Sequence, residues 1–291
     1  MVAASATALQ SLAAGAATGW LWLDAAFESP KAACLDGWES PAALGCLTGR
    51  RVLFAGDSFV RNMFFGLMKL LEGRLNDPDF AYPKSAWMAS AMERDSGGLG
   101  RGSEFTSKLF NGKLGRAGVV AATPPGLQAA TQAGGGWVRY YSHAKTMEQL
   151  AVLQRQVETQ QPDVVFAGIP SIHDHIRSGT DPVQLATQLG EWVRALKATS
   201  PAIRVIYLSI NVQDASKKLR QYKQQGREWS IGFIRAVGKT LKAMGVEVLD
   251  TSGFTDPEVH GNVISNDGTH AWGFVDVMKA RLALAALCGE G

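Results

Sequence analysis

Cysteine is scarce in this 291-residue chain. Cys34, Cys46 and Cys288 are its only three, with no CxxC pair or Cys/His cluster, which argues against a structural zinc site. An excess of charge is missing too. Lys and Arg number 29 against 26 Asp and Glu, and a formal surplus of +3 is too small to predict a nucleic acid or an anionic membrane surface as partner. No stretch offers the roughly 18 uninterrupted apolar residues of a membrane-spanning helix, so a soluble chain is expected. The Ala-rich start, Met1 to Phe27, contains no Lys or Arg and so lacks the basic opening of a secretory signal. Asp24 cuts short its one bulky patch, Trp20-Leu21-Trp22-Leu23. A trimmed leader is still compatible with this segment.

What is present is an ordinary globular composition, 46% hydrophobic, in a chain long enough for one large domain or two small ones. From residue 51 onward, short runs rich in Val, Ile, Leu and Phe alternate with helical patterns. The runs are Arg51–Ala55, Asp163–Ala167, Arg204–Ser209 and Val246–Leu249. None alternates with polar residues, as expected of strands buried on both faces, so repeated βα units and a mostly parallel sheet covered by helices are predicted. Apolar residues fall on single helical faces at Val60, Met63, Phe64, Leu67 and Leu71, at Leu185, Leu189, Trp192, Val193 and Leu196, at Ile234, Val237, Leu241 and Met244, and at Val275, Met278 and Leu282. These stripes are read as core. Trp137–Ser142 is a candidate further strand, leading to a helix around Met147–Gln160. Between about 72 and 136 the rhythm breaks at Gly97-Gly98, Pro124-Pro125 and Gly134-Gly135-Gly136. That stretch is expected to be an irregular lid or specificity loop.

Two short words carry chemistry. Phe54-Ala55-Gly56-Asp57-Ser58 ends the first strand, and Asp267-Gly268-Thr269-His270 precedes the last helix. Both fall at the carboxyl edge of the sheet, where open α/β sheets bind ligands. Ser58 would sit at a strand-to-helix turn with backbone amides and the positive end of the helix beside it. A serine hydroxyl needs a base, which His270 can supply, while Asp267 can fix the imidazole tautomer and stabilise its protonated form. Taken singly, Ser58 reads as a helix cap and Asp267/His270 as a surface turn. Together they predict a Ser-His-Asp triad and acyl transfer through an acyl-serine.

Around Ser58 the pattern Cys46-Leu47-x-x-Arg50-x-Val52-x-Phe54-x-Gly56-Asp57-Ser58-x-x-Arg61-Asn62, with Asp163 to Gly168, Asp267-Gly268-Thr269-His270 and Cys288, resembles the SGNH (GDSL-type) hydrolases. More narrowly it resembles their PC-esterase branch, which includes trichome-birefringence-like wall polysaccharide O-acetyltransferases and the lumenal domain of sialate and capsule O-acetyltransferases. The resemblance implies a three-layer α/β/α sandwich over residues 46–288, following an Ala-rich segment 1–45 and carrying the Gly-rich insertion at about 72–136. It implies an O-acetyltransferase acting on carbohydrate hydroxyls, with a glycan acceptor and acetyl-CoA or another acyl donor as co-substrate, in the secretory pathway or Golgi lumen. A carbohydrate or lipid esterase is the alternative. A non-catalytic carbohydrate-binding module, with Trp87, Trp137, Tyr140 and Tyr141 stacking on sugars, is the reading from a different class.

The chain departs from the family where many members place a Gly-x-Asn-Asp block: here Gly168-Ile169-Pro170-Ser171 holds no Asn. Gly168, Ser171 and the Ser58 amide are therefore the candidates for oxyanion or substrate contacts. Arg61, one turn after Ser58, either binds a substrate anion or carbonyl or braces the loops through an ion pair. Asp57 is expected to bond loop amides. His173, Asp174 and His175 have no further ligand for a metal and are expected to line the acceptor pocket; His143 and His260 are assigned to the surface. Topology brings Cys46 and Cys288 to the amino edge of the sheet. In the oxidising compartment of the relatives these two are expected to form a disulfide. A Cys34–Cys46 bridge and three reduced cysteines are the alternatives.

Overall fold

The computed structural model describes residues 40–71, 119–122, 136–141, 146–174, 179–218, 224–260, 267–271 and 273–288. Outside them lie most of the Ala-rich start and of the Gly-rich stretch, Cys34, Trp87, His143 and His175. The side chain of His260 lies outside them as well.

Helix α1 (Ser40–Leu47) precedes strand β1 (Arg51–Ala55), which feeds α2 (Ser58–Leu71). Strands β2 (Val119–Ala122) and β3 (Trp137–Tyr141) follow, then α3 (Leu150–Gln160), β4 (Val164–Ala167), α4 (Pro182–Thr199), β5 (Arg204–Leu208), α5 (Arg227–Ala243), β6 (Glu247–Leu249), the single turn α6 (Pro257–His260), and α7 (Gly273–Cys288). The six strands form one sheet in the order β2-β3-β1-β4-β5-β6, parallel throughout except for β2, which pairs antiparallel with β3. The expected irregular insertion thus contributes an edge strand. Its run Val119-Val120-Ala121-Ala122 is too short for its periodicity to be distinguished from loop.

Alternation along the strands sorts the core into two layers. Val52, Phe54, Val138, Tyr140, Phe166, Ile206 and Leu208 face α1, α2 and α7, whereas Leu53, Ala55, Tyr141, Val165, Val205 and Tyr207 face α3, α4 and α5. The three-layer α/β/α architecture with a mostly parallel sheet is as the sequence led us to expect. Helix α7 buries more than the predicted stripe: Val277, Ala280, Leu284 and Leu287 are enclosed as well as Val275 and Leu282. It packs against both α2 and α1 while covering the sheet.

Chain direction creates the crevice. From β1 the chain passes through α2 on one face to reach β3, then returns across β1 through α3 on the other face to reach β4. The loops leaving the carboxyl ends of β1 and β4 therefore diverge to opposite faces, which is the arrangement that opens a binding crevice in such sheets. At the opposite edge, Cys46 in α1 is joined to Cys288 at the end of α7.

Candidate active site

Ser58 is the first residue of α2 and is only partly enclosed. Three contacts hold the turn that presents it. The buried Asp57 carboxylate accepts from the Phe59 amide at 2.9 Å, as expected of a loop-bonding aspartate. The Tyr140 hydroxyl, reaching from β3, is within 3.1 Å of the Gly56 carbonyl and 3.2 Å of the Asp57 carbonyl and donates to this pair. The glycines at 56 and 168 let the β1 and β4 loops close around Val60, because a Cβ at either would strike the Val60 side chain. No described group accepts from the Ser58 amide, which leaves it pointing from the first turn of a 14-residue helix.

His270 reaches Ser58 from the other end of the chain, its Nε2 lying 2.8 Å from Ser58 Oγ. Its Nδ1 lies 2.7 Å from Asp267 Oδ2, and Asp267 Oδ1 accepts from the amides of Thr269 and His270, each at 2.8 Å. Burial alone would raise the Asp267 carboxyl. The hydrogen bond and charge of His270, with the two loop amides, outweigh burial and hold the carboxyl well below the usual carboxylate range. An ionised carboxylate only accepts, so the proton of the neutral imidazole belongs on Nδ1, and Nε2 is left to accept from the serine hydroxyl. Phe59 flanks the imidazole, with ring centroids 5.8 Å apart.

The other predicted contacts fare differently. The Gly168 amide donates to the Ala55 carbonyl at 2.8 Å as a continuation of the sheet, so it has no free donor for an oxyanion. Ser171 has no exposed surface and its Oγ accepts from the His173 amide at 3.1 Å, which removes it from substrate contact. The Ser58 amide is thus the candidate oxyanion donor that the structure leaves available. Arg61 is half-buried, and its charge bears on the carboxyls of Asp57 and Asp276.

His173 is half-exposed with Nε2 3.7 Å from Asp57 Oδ2. Asp174 uses its carboxylate on the amides of Met147 (2.6 Å) and Ser171 (2.8 Å). It borders a depression of about 370 Å³ lined also by Thr146, Glu148, Thr180 and Gln184. No group of three or more metal-ligating side chains occurs among the described residues. Tyr140 and Tyr141 are core residues, and the Arg139 guanidinium stands 4.4 Å above the half-buried Trp137, so these aromatics offer no open platform for sugars.

Sequence reasoning gave Tyr140 a sugar-stacking role and did not foresee its hold on the Ser58 turn, and it missed the loop after β5. The Asp214 amide donates to the Gly268 carbonyl and the Asn211 side-chain amide to the Thr269 carbonyl, each at 2.9 Å, so that loop grips the Asp267–His270 turn. The available signal was a polar residue in apolar surroundings, namely Asn211 after the Val205–Ile210 run and Lys279 inside the apolar last helix.

No protein-family model matches the sequence, and no curated protein is similar enough to be matched. Among solved structures, the chain is similar to a GDSL-like lipase from Parabacteroides merdae, at 14% identity and a TM-score of 0.45, over 83% of this chain and 96% of that one. A GDSL-like lipase from Bacteroides thetaiotaomicron is similar at 14% identity and a TM-score of 0.45, over 82% and 88%. An acetylxylan esterase from Geobacillus stearothermophilus is similar at 15% identity and a TM-score of 0.42, over 83% and 95%.

Proposed function

We propose that this chain is a serine-dependent ester hydrolase, with Ser58 as nucleophile, His270 as general base and acid, and Asp267 as its orienting carboxylate. The observation that carries this reading is the continuous hydrogen-bonded path from Ser58 Oγ through both nitrogens of His270 to Asp267, at 2.8 and 2.7 Å. As Ser58 Oγ attacks the acyl carbon, its proton passes to His270 Nε2, and the carbonyl oxygen becomes an oxyanion facing the Ser58 amide and the positive end of α2. The imidazolium, stabilised by Asp267, then protonates the departing alkoxide and leaves an acyl-serine. Water gives a proton to His270 and attacks the acyl carbon. The Ser58–acyl bond breaks, Ser58 recovers the proton, and the carboxylic acid is released.

Water as acceptor is supported by partial exposure along the proposed triad, with Ser58 half-buried and the His270 and Asp267 side chains 21% and 52% exposed, since transfer to another hydroxyl requires water to be kept out. An O-acyl carbohydrate as substrate is supported by the polar groups that line the depression beside Asp174, those of Thr146, Glu148, Thr180, Gln184 and Gln188, which suit hydroxyl groups as hydrogen-bond partners. The second reading, an O-acetyltransferase drawing on acetyl-CoA or another donor, rests on the Cys46 to Asn62 pattern and its PC-esterase resemblance. Incubation with an activated acetyl ester, with and without an oligosaccharide, separates the two. Release of acetate alone supports hydrolysis, and acetylated oligosaccharide replaces it with the transferase. Failure of a fluorophosphonate to label Ser58 removes both.

A further inference from the structure

Only two residues, Gly268 and Thr269, separate the members of the Asp267–His270 pair, so the aim of the imidazole depends on the path of the peptide between them. Two amides of that path, those of Thr269 and His270, are held by Asp267 itself. Two of its carbonyls, those of Gly268 and Thr269, are held from outside by the loop that follows β5. The Gly268 bond uses the Asp214 backbone, while the Thr269 bond uses a side chain, Asn211 Nδ2.

Asn211 is 2% exposed and its amide has no freedom to turn over. Its Oδ1 accepts from the Lys279 ammonium, which has donors only, so Nδ2 must be the end that faces the Thr269 carbonyl. Lys279 lies on α7 and is 3% exposed; the charges of Asp276, Asp250 and Asp57 oppose the tendency of burial to discharge it. The loop itself is pinned from below, with the Val212 amide donating to Thr255 Oγ1 and the Gln213 amide to Ser230 Oγ.

We infer that Asn211, oriented by the buried Lys279, is a positioning residue that sets the Thr269 peptide and thereby the aim of His270 Nε2 at Ser58. The inference rests on the hydrolase reading above. A displacement of the order of 1 Å at the base can cost about a hundredfold in rate without touching substrate binding. No contact of Asn211 with substrate is involved.

Asn211→Asp tests this with almost no change of shape. The carboxylate still accepts from Lys279 and gives the buried cation a charged partner, but it sets an acceptor against the Thr269 carbonyl where a donor stood. The expected result is an unfolding midpoint unchanged or raised, KM within about twofold of wild type, and kcat lowered on the order of 10- to 100-fold. Fluorophosphonate labelling of Ser58 should slow in parallel. Wild-type kcat overturns the inference, and so does a loss of activity that merely follows a loss of folded protein. If that variant does not fold, Asn211→Ser, too short to reach Thr269, is read in the same way. Wild-type protein that takes no fluorophosphonate at Ser58 sinks the hydrolase reading; wild-type turnover with an unaffected Asn211→Asp sinks only the positioning role.

Discussion

A serine hydroxyl is a weak nucleophile until a base is set against it, and here the imidazole that lies 2.8 Å from Ser58 Oγ belongs to a residue 212 positions away. Ser58→Ala is therefore expected to lower kcat by about 10³-fold or more with the fold intact. Residual activity near wild type in purified protein would contradict this. The hydrogen bond and charge of His270 keep Asp267 ionised well below neutrality against the pull of burial. Asp57 behaves in the opposite sense to Asp267. Burial pushes its carboxyl up, against the pull of His173, the Phe59 amide, His270 and Arg61. The native state then keeps a proton that the unfolded chain releases near pH 4. Asp57 consequently contributes most to stability below that pH, and the contribution is lost as pH rises through the folded value. Asp57→Asn, which keeps an acceptor for the Phe59 amide, should gain on wild type as pH rises from 4 to 7. Thermal unfolding at the two ends of that range checks it, and a gap that does not widen tells against it.

Among the elements, the crossing of α2 over α7 is the tightest contact that bears on the site, since one helix begins at Ser58 and the other just beyond His270. Gly66 permits the approach: a Cβ there would lie 2.5 Å from the Asp276 carbonyl carbon and 2.6 Å from its oxygen. Replacing Gly66 by Ala gains about 1 kcal/mol in helix propensity. Overpacking costs about 1–3 kcal/mol, and because the obstacle is backbone rather than a movable side chain, the cost should win. Gly66→Ala is expected to lower stability in urea unfolding, whereas an unchanged or higher midpoint would mean that the helices separate freely. The elements also show where sequence reading stops. Helix α4 was legible from the apolar stripe of Leu185, Leu189, Trp192, Val193 and Leu196, and the structure adds its start, where Pro182 opens the helix and Asp181 accepts from the Val183 amide at 3.0 Å. The β2 strand was not legible, since its identity as strand comes from pairing with β3.

At the scale of the whole molecule, the link between Cys46 and Cys288 closes nearly the entire described chain into a loop, with a sequence separation of 242. In the chain-entropy model such a loop removes on the order of 5 kcal/mol of freedom from the unfolded state. The bond lies at the amino edge of the sheet, remote from the triad at the carboxyl edge, so its loss should be felt in stability before chemistry. Reduction, or Cys288→Ser, is expected to bring the urea midpoint down markedly while the surviving folded fraction keeps its kcat. A midpoint unmoved by reductant would show that packing of α1 against α7 suffices alone.

The sequence by itself determined the order of elements, the doubly apolar strands, and the two words that contain Ser58, Asp267 and His270. Each of these is a local matter of period, turn chemistry or residue type, readable within about ten positions. The tertiary structure alone decided which backbone donors remain free. Gly168 and Ser171 were reasonable oxyanion candidates until the sheet claimed one amide and the loop enclosed the other side chain. It alone also decided what steers His270. Asn211, Lys279 and Tyr140 lie on different elements, and their roles exist only once the strand order brings those elements to the same edge. A hydrogen bond is specified by the positions of both partners, and between residues 58 or more apart those positions are set by the packing of the whole chain.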